Sequence, residues 1–250
     1  MIVNDDGVDA PGFIAAVRAM RALGDVLPVA PAGQQTAMGR AYPRYPDLGV
    51  IETYQLDLGD ETVQAYAVHS SPAHAVCYGV MELAPRRPDL VVSGINHGAN
   101  LGMSVTCSGT IGACFEAMSE GLPALALSLE TGADEIMVNS ADNDFQYAER
   151  IGTYWAETIL REGMPRDCEI LSVNIPNCAV GPEDYRYTCL DRLNYYEMQT
   201  PPPRDFSKPY TIDFKIDVQG REMKEDGDIA CVVRDRLTSV TPLGWDLTKR

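Results

Sequence analysis

The chain has 250 residues, of which 45% are hydrophobic and 22% charged. That is the make-up of an ordinary globular protein able to bury a sizeable core without disulfide staples. Twenty Lys and Arg stand against 36 Asp and Glu, a formal net charge of −16, which argues against a nucleic-acid polymer or an anionic membrane surface as the partner, because both need a positive footprint. No apolar run approaches the roughly 18 residues of a membrane span, and the N-terminus does not read as a secretory signal. The seven cysteines (77, 107, 114, 168, 178, 189 and 231) contain no C-x-x-C pair. Reduced thiols in the cytoplasm are therefore the expectation.

In chain order, Ile2-Val3 is a short strand remnant. Phe13, Val17 and Met20 then recur at helical spacing, with Pro11 near the first turn. Val26 to Val29 reads as a strand, and so does Asp89 to Ser93, a continuous apolar run suited to a sheet buried on both faces. Ile111 to Glu120 reads as a helix and Ala124 to Leu129 as a strand. Tyr147, Ile151, Tyr154, Trp155 and Ile159 mark a longer helix that Gly163 ends, before a strand at Glu169 to Asn174. Strands alternating with helices predict an α/β fold, a Rossmann-like doubly wound, mostly parallel sheet. Beyond about residue 180 the pattern changes. Thr211 to Val218 alternates apolar and polar residues, Ile229 to Arg234 is a further strand candidate, a short strand starts near Val240, and Pro201-Pro202-Pro203 is a stiff linker. The expected organisation is a catalytic core at 1–180, a β-rich extension at 181–235, and a segment at 236–250 that returns to the core.

Ligands of doubly wound sheets bind beyond the carboxyl ends of the strands. Asn4-Asp5-Asp6-Gly7 stands there, directly after the first strand. Adjacent carboxylates repel, and a hard divalent cation with oxygen ligands would resolve the conflict; Asn, Asp and Gly are also turn formers, so these four residues alone read equally as a solvated turn. Ser93 to Gly102 (SGINHGANLG) follows the buried strand with three glycines in nine positions, letting the backbone approach a ligand closely. Asn96 and Asn100 offer amide oxygens and hydrogens. Cys107-Ser108-Gly109-Thr110 then opens a helix whose free N–H groups suit phosphate, or simply cap the helix.

These blocks resemble the SurE family, survival protein E, a group of metal-dependent 5′-nucleotidases and phosphatases. The resemblance is carried by NDDGVDAPG at 4–12, APAGQQTAMGRA at 30–41, RPDLVVSGINHGANLG at 87–102, SGTIGACFEAMSEGLPALALSL at 108–129 and SVTPLGWDLT at 239–248. It implies one Mg²⁺ or Mn²⁺ per subunit held by Asp5, Asp6, Thr36 and Asn96, with Thr36 standing where the family usually has Ser. It also implies phosphate held by Ser108, Gly109 and Thr110 with Asn100 nearby, and Asn4 orienting the carboxylates. A homodimer or tetramer formed through residues about 180–235 is implied as well. Family members carry a few more residues ahead of the NDDG, so the first strand is expected to be short here.

The chain has no signature of a covalent phosphoenzyme. The expected chemistry is in-line attack by a metal-bound water on a nucleoside 5′-monophosphate, with Asp5 or Asp6 accepting the proton and with 3′-nucleotides and short polyphosphate as further substrates. Arg40 and Arg44 follow the Thr36 loop and read as substrate contacts or as solvated loop arginines. Tyr195 and Tyr196 are candidates to stack a base or meet a partner chain. His97 reads as a packing residue with a lesser claim to catalysis. His69 and His74, in a segment where the family usually reads closer to GTPADCV, are expected to support the site. A receiver-type signalling domain and a dinucleotide-binding Rossmann protein fit less well, because a phosphoacceptor Asp on a third strand and a G-x-G-x-x-G are both missing; a family member that has lost activity stays open.

Overall fold

The computed structural model describes residues 1–132, 144–179, 181–218, 220–246 and 248. Its centre is a six-stranded sheet in the order β1-β5-β6-β7-β11-β8. Four strands are parallel: β1 (Ile2–Val3), β5 (Val91–His97), β6 (Ala124–Leu129) and β7 (Ile170–Ile175). Against β7, β11 (Thr238–Leu243) runs antiparallel, and β8 (Tyr185–Tyr187) pairs with β11. A second sheet, β2-β4-β3, consists of β2 (Val29–Pro31), β3 (Ile51–Asp57) and β4 (Thr62–Val68). It meets the first beside β1 through a bridge between Ile2 and Pro28.

Helices cover both faces. On one face α1 (Pro11–Arg21) packs against α4 (Gln146–Glu162); on the other α2 (Pro72–Tyr78) packs against α3 (Gly109–Ser119). The strands explain this sandwich. Successive side chains of a strand point to opposite faces. Val92, Leu125, Leu127, Leu171 and Val173 thus share a core with Phe13, Val17, Ile151 and Trp155, while Val91, Ala124, Ala126 and Ile170 share another with Val76, Ile111, Cys114 and Ala117. The chain leaves β1 through α1 towards β2 and returns through α2 to β5 on the other side of β1, so a crevice opens between the carboxyl ends of β1 and β5.

The α/β fold is as the sequence predicts, and several elements differ in detail. Thr211 to Val218 forms a ladder only at β10 (Phe214–Ile216), which pairs with β9 (Tyr196–Met198). Ile229 to Arg234, expected as a strand, is instead a π-helical turn over Ala230–Arg234. Here Cys231 N donates to Gly227 O and Asp235 N to Ala230 O, and the Asp228 carboxylate takes the Asp191, Ile229 and Gly102 amides. A short apolar run does not distinguish strand from buried helix. Residues 247, 249 and 250 of the expected C-terminal segment lie outside the described residues. Among the described residues, no helix is long and apolar enough to cross a membrane.

Candidate active site

The NDDG turn is built from inside. Asn4 Nδ2 donates to Gly7 O at 2.8 Å, and the turn is flanked by the loop that follows β2, where Val8 N donates to Pro31 O and Gln35 N to Asp5 O. Asp5 and Asp6 are buried side by side, 3% and 4% exposed. The Thr110 hydroxyl donates to Asp5 Oδ1 at 2.6 Å. The His97 amide donates to Asp6 Oδ2 at 3.2 Å, with His97 Nδ1 3.5 Å from the same oxygen.

The helix start approaches closely because residue 109 is glycine. A Cβ there would stand 2.7 Å from both Cβ and Oδ2 of Asp5. Ser108 caps α3 by accepting from Ile111 N at 3.1 Å, so the positive end of the helix dipole faces the carboxylates.

Burial, followed by the charge of Asp6, pushes the Asp5 carboxyl up to about 7, against the pull of the hydrogen bonds from Thr110. None of these influences is a cationic side chain. An acidic pair in this state is relieved by a retained proton or by a cation. Among the described residues no group of three or more His, Cys, Asp and Glu side chains is placed to hold a metal, so a cation here would draw on two carboxylates supplemented by amide and hydroxyl oxygens. That is the donor chemistry of a hard ion that keeps several waters. Asn96 fits the part: its Nδ2 is turned into its own loop, donating to Gly98 O at 2.6 Å, with Oδ1 at the opposite end of the carboxamide. Asn4 Oδ1 is buried without a hydrogen-bond partner, an orphan acceptor beside the pair.

Asn100 is anchored at the same edge. Its amide donates to Asn174 Oδ1 at 2.7 Å and its Nδ2 to Ser128 Oγ at 3.0 Å. Thr36 lies half-buried on the loop that borders Asp5. The expected residues of β1, β5 and α3 are therefore drawn to one crevice. A cleft of about 870 Å³ opens elsewhere, between Met1, Leu23, Tyr66 and Leu90 at the opposite end of the strands.

A family model described as survival protein SurE matches residues 1–197. The chain belongs to the SurE family. It is 37% identical over 256 residues to the 5′-nucleotidase SurE of Methanocella arvoryzae, an alignment spanning 99% of this chain and 92% of that protein. It is 36% identical over 248 residues to 5′-nucleotidase SurE 1 of Thermus thermophilus, with 99% and 92% covered. The crystal structure of the SurE protein from Aquifex aeolicus superposes with a TM-score of 0.73 at 30% identity, covering 99% of this chain and 94% of that one.

Within this SurE chain some expected residues take other places. Arg40 is turned onto α3, its Nε 2.7 Å from Glu116 Oε2 and its Nη2 2.9 Å from Ser119 Oγ, because a buried carboxylate demands a cation. Arg44 is exposed. Tyr195 is buried with Ala99, Leu101, Val218 and Ile229, and Tyr196, half-buried, donates to Ala99 O at 2.7 Å; both brace the Gly98–Gly102 loop from within their own chain. His97 is buried edge-on against Phe145. His74 packs edge-on against Tyr42. His69 bridges Asp47 at 2.6 Å and Glu52 at 2.8 Å; donating from both ring nitrogens requires the protonated imidazolium.

Sequence reasoning missed Ser128, Asn174 and Glu116. Each carried a signal, since a polar residue in an otherwise apolar strand (ALALSL, ILSVNI) or helix (GTIGACFEAMS) needs a reason to be there.

Proposed function

We propose that this chain is a divalent-metal-dependent phosphatase releasing phosphate from nucleoside 5′-monophosphates. It is a phosphoric monoester hydrolase of the 5′-nucleotidase type. The observation that carries the reading is the buried Asp5–Asp6 pair facing the N-terminus of α3 across the β1–β5 crevice. The names of its relatives, 5′-nucleotidase SurE, support the nucleotidase part of the reading.

Asp5, Asp6, Asn96 and Thr36 would hold Mg²⁺ or Mn²⁺, one per subunit. When bound, such an ion lowers the pKa of a coordinated water and neutralises phosphoryl charge. Thr110 fixes the Asp5 carboxylate through its hydroxyl. Ser108 and the amides of Gly109 and Thr110 give the phosphoryl oxygens an anion site at the start of the helix, and Asn100, braced by Ser128 and Asn174, borders it. Water attacks phosphorus in line with the departing ribose oxygen, and Asp5 or Asp6 receives its proton.

On this reading 3′-nucleotides and short polyphosphate are further substrates. The protein acts in the cytoplasm as a homodimer or tetramer joined through residues about 180–235, with no nucleic-acid polymer as partner. In support, the exposed apolar side chains of that region include Met198, Phe206 and Ile212.

The test is phosphate release from a panel of 5′- and 3′-nucleotides and tripolyphosphate, with Mn²⁺, with Mg²⁺ and with chelator. Release from 5′-nucleotides that needs the metal is expected. Equal release in chelator would contradict the reading.

A further inference from the structure

We infer that Glu116 is a positioning residue: with Arg40 and Tyr42 it clamps the loop at 33–42 onto α3, and so sets the Thr36 hydroxyl beside the Asp5–Asp6 pair. The inference rests on the reading of Thr36 as a donor to the cation.

Of the four expected donors, Thr36 alone lies neither in the turn that follows β1 nor on β5. Its loop has little regular structure, and Ala37 within it adopts φ 63°, a left-handed conformation that L-residues avoid. Such a loop keeps one shape only if its surroundings impose it.

The surroundings lie along one stripe of α3. Residues 109, 112, 116 and 119 are spaced by three and four, hence on one side of the helix. Gly109 meets Asp5. One turn on, Gly112 receives the loop backbone, where a Cβ would stand 2.1 Å from Gly39 O; Gly39 N also donates to Cys107 O at 2.9 Å. A further turn on, Glu116 takes Arg40 Nε at 2.7 Å and the Tyr42 hydroxyl, and Cys77 Sγ lies 3.2 Å from its other oxygen. Ser119 takes the second Arg40 nitrogen, and Ser71 Oγ donates to Ala41 O at 2.6 Å. The helix that presents its N-terminus to the site is therefore also the floor on which the Thr36 loop is seated. Glu116 is 3% exposed; although burial alone would raise its carboxyl, the hydrogen bonds from Arg40, Tyr42 and Cys77 hold it below the ordinary range, so it stays charged and keeps its grip on Arg40.

The experiment compares metal-free wild type with Glu116→Gln, Arg40→Gln, Thr36→Ala and the Thr36→Ala/Glu116→Gln double variant, using Mn²⁺ as the titrant. Two quantities are read: amide exchange of residues 34–42 without metal, and the dissociation constant for Mn²⁺. Arg40→Gln releases the clamp from its more exposed side and serves where Glu116→Gln folds poorly. The expected result is faster exchange across 34–42, Mn²⁺ affinity about ten-fold weaker, and a double variant no weaker than Thr36→Ala alone. Unchanged exchange overturns the proposal. So does faster exchange with unchanged affinity, the outcome of a purely structural role, and so do penalties that multiply in the double variant. If Thr36→Ala binds Mn²⁺ like wild type while Asp5→Asn does not, the Thr36 assignment fails and the proposal with it, whereas the carboxylate site stands. A wild type that binds no Mn²⁺ removes the site itself.

Discussion

Two buried acidic centres sit at the two ends of one stripe of α3, and they are satisfied in opposite ways. At Glu116 the cost of burial is offset within the chain by Arg40, Tyr42 and Cys77, and the carboxyl is held below its ordinary range. At Asp5 burial and the neighbouring charge of Asp6 dominate, and the carboxyl is pushed up to about 7. Both acids are 3% exposed, and what the fold supplies to Glu116 and not to Asp5 is an internal cation. A buried carboxylate completed by the protein's own arginine is part of the architecture. One that the fold leaves beside a second carboxylate, an orphan amide oxygen and a helix N-terminus is poised for a ligand from solution.

The largest expected effect breaks this contrast at its functional end. Asp5→Asn should lower phosphate release from 5′-nucleotides by about a thousandfold or more, the order expected when several kcal/mol of charge stabilisation are lost, with far-UV circular dichroism unchanged. A fall of less than tenfold would place the chemistry elsewhere.

The next tests the electrostatics directly. The Asp5 carboxyl is raised in the fold from an ordinary 3.8 to about 7. The folded state thus holds a proton more tightly than the unfolded one, and this stabilising contribution is complete below the ordinary value and lost as pH rises through about 7. Chelated protein should lose thermal stability between pH 4 and 7 by more than Asp5→Asn does, and saturating Mn²⁺ should remove the difference. Parallel pH profiles for the two proteins would refute the assignment.

A smaller effect is expected midway along the stripe. Gly112→Ala places a Cβ 2.1 Å from Gly39 O, so the Thr36 loop must lift, and Mn²⁺ affinity should weaken by about tenfold. Unchanged affinity would mean the loop's seat is irrelevant to the site.

The smallest marks the far face. Arg18 and Glu149 pair at 2.7 Å with Arg18 largely exposed. Arg18→Met should cost less than about 1 kcal/mol in chemical denaturation and leave phosphate release unaltered; a loss of activity would link α1 and α4 to the site in a way the contrast does not contain.

Much of the site was legible because it is local. NDDG follows a strand, SGINHGAN follows another, and Ser108 begins a helix, so each piece is contiguous and its place at the sheet edge follows from the α/β pattern. What the chain conceals is long-range satisfaction. Arg40 looked available to substrate because Glu116, its partner, lies 76 residues away. Asn100 gave no hint that Ser128 and Asn174 would hold it, since that depends on β5, β6 and β7 lying side by side. Tyr195 and Tyr196 read as base stackers or partner contacts, because the small core they join is assembled from the distant Ala99, Leu101, Val218 and Ile229. The apolar run at Ile229 turns instead of extending, a choice that a run of this length does not encode. No element was assigned between residues 32 and 88, where β3 and β4 form a hairpin whose central sequences mix polar and apolar residues. Local chemistry reads from spacing; which partner completes a buried polar group reads only from topology.

The central claim is that Asp5 and Asp6 form a site completed by a divalent cation. Calorimetric titration of metal-free protein with Mn²⁺ tests it most directly. One saturable site per chain is expected in the wild type, and its loss in Asp5→Asn. An isotherm unchanged by Asp5→Asn, or no binding at all, would contradict it.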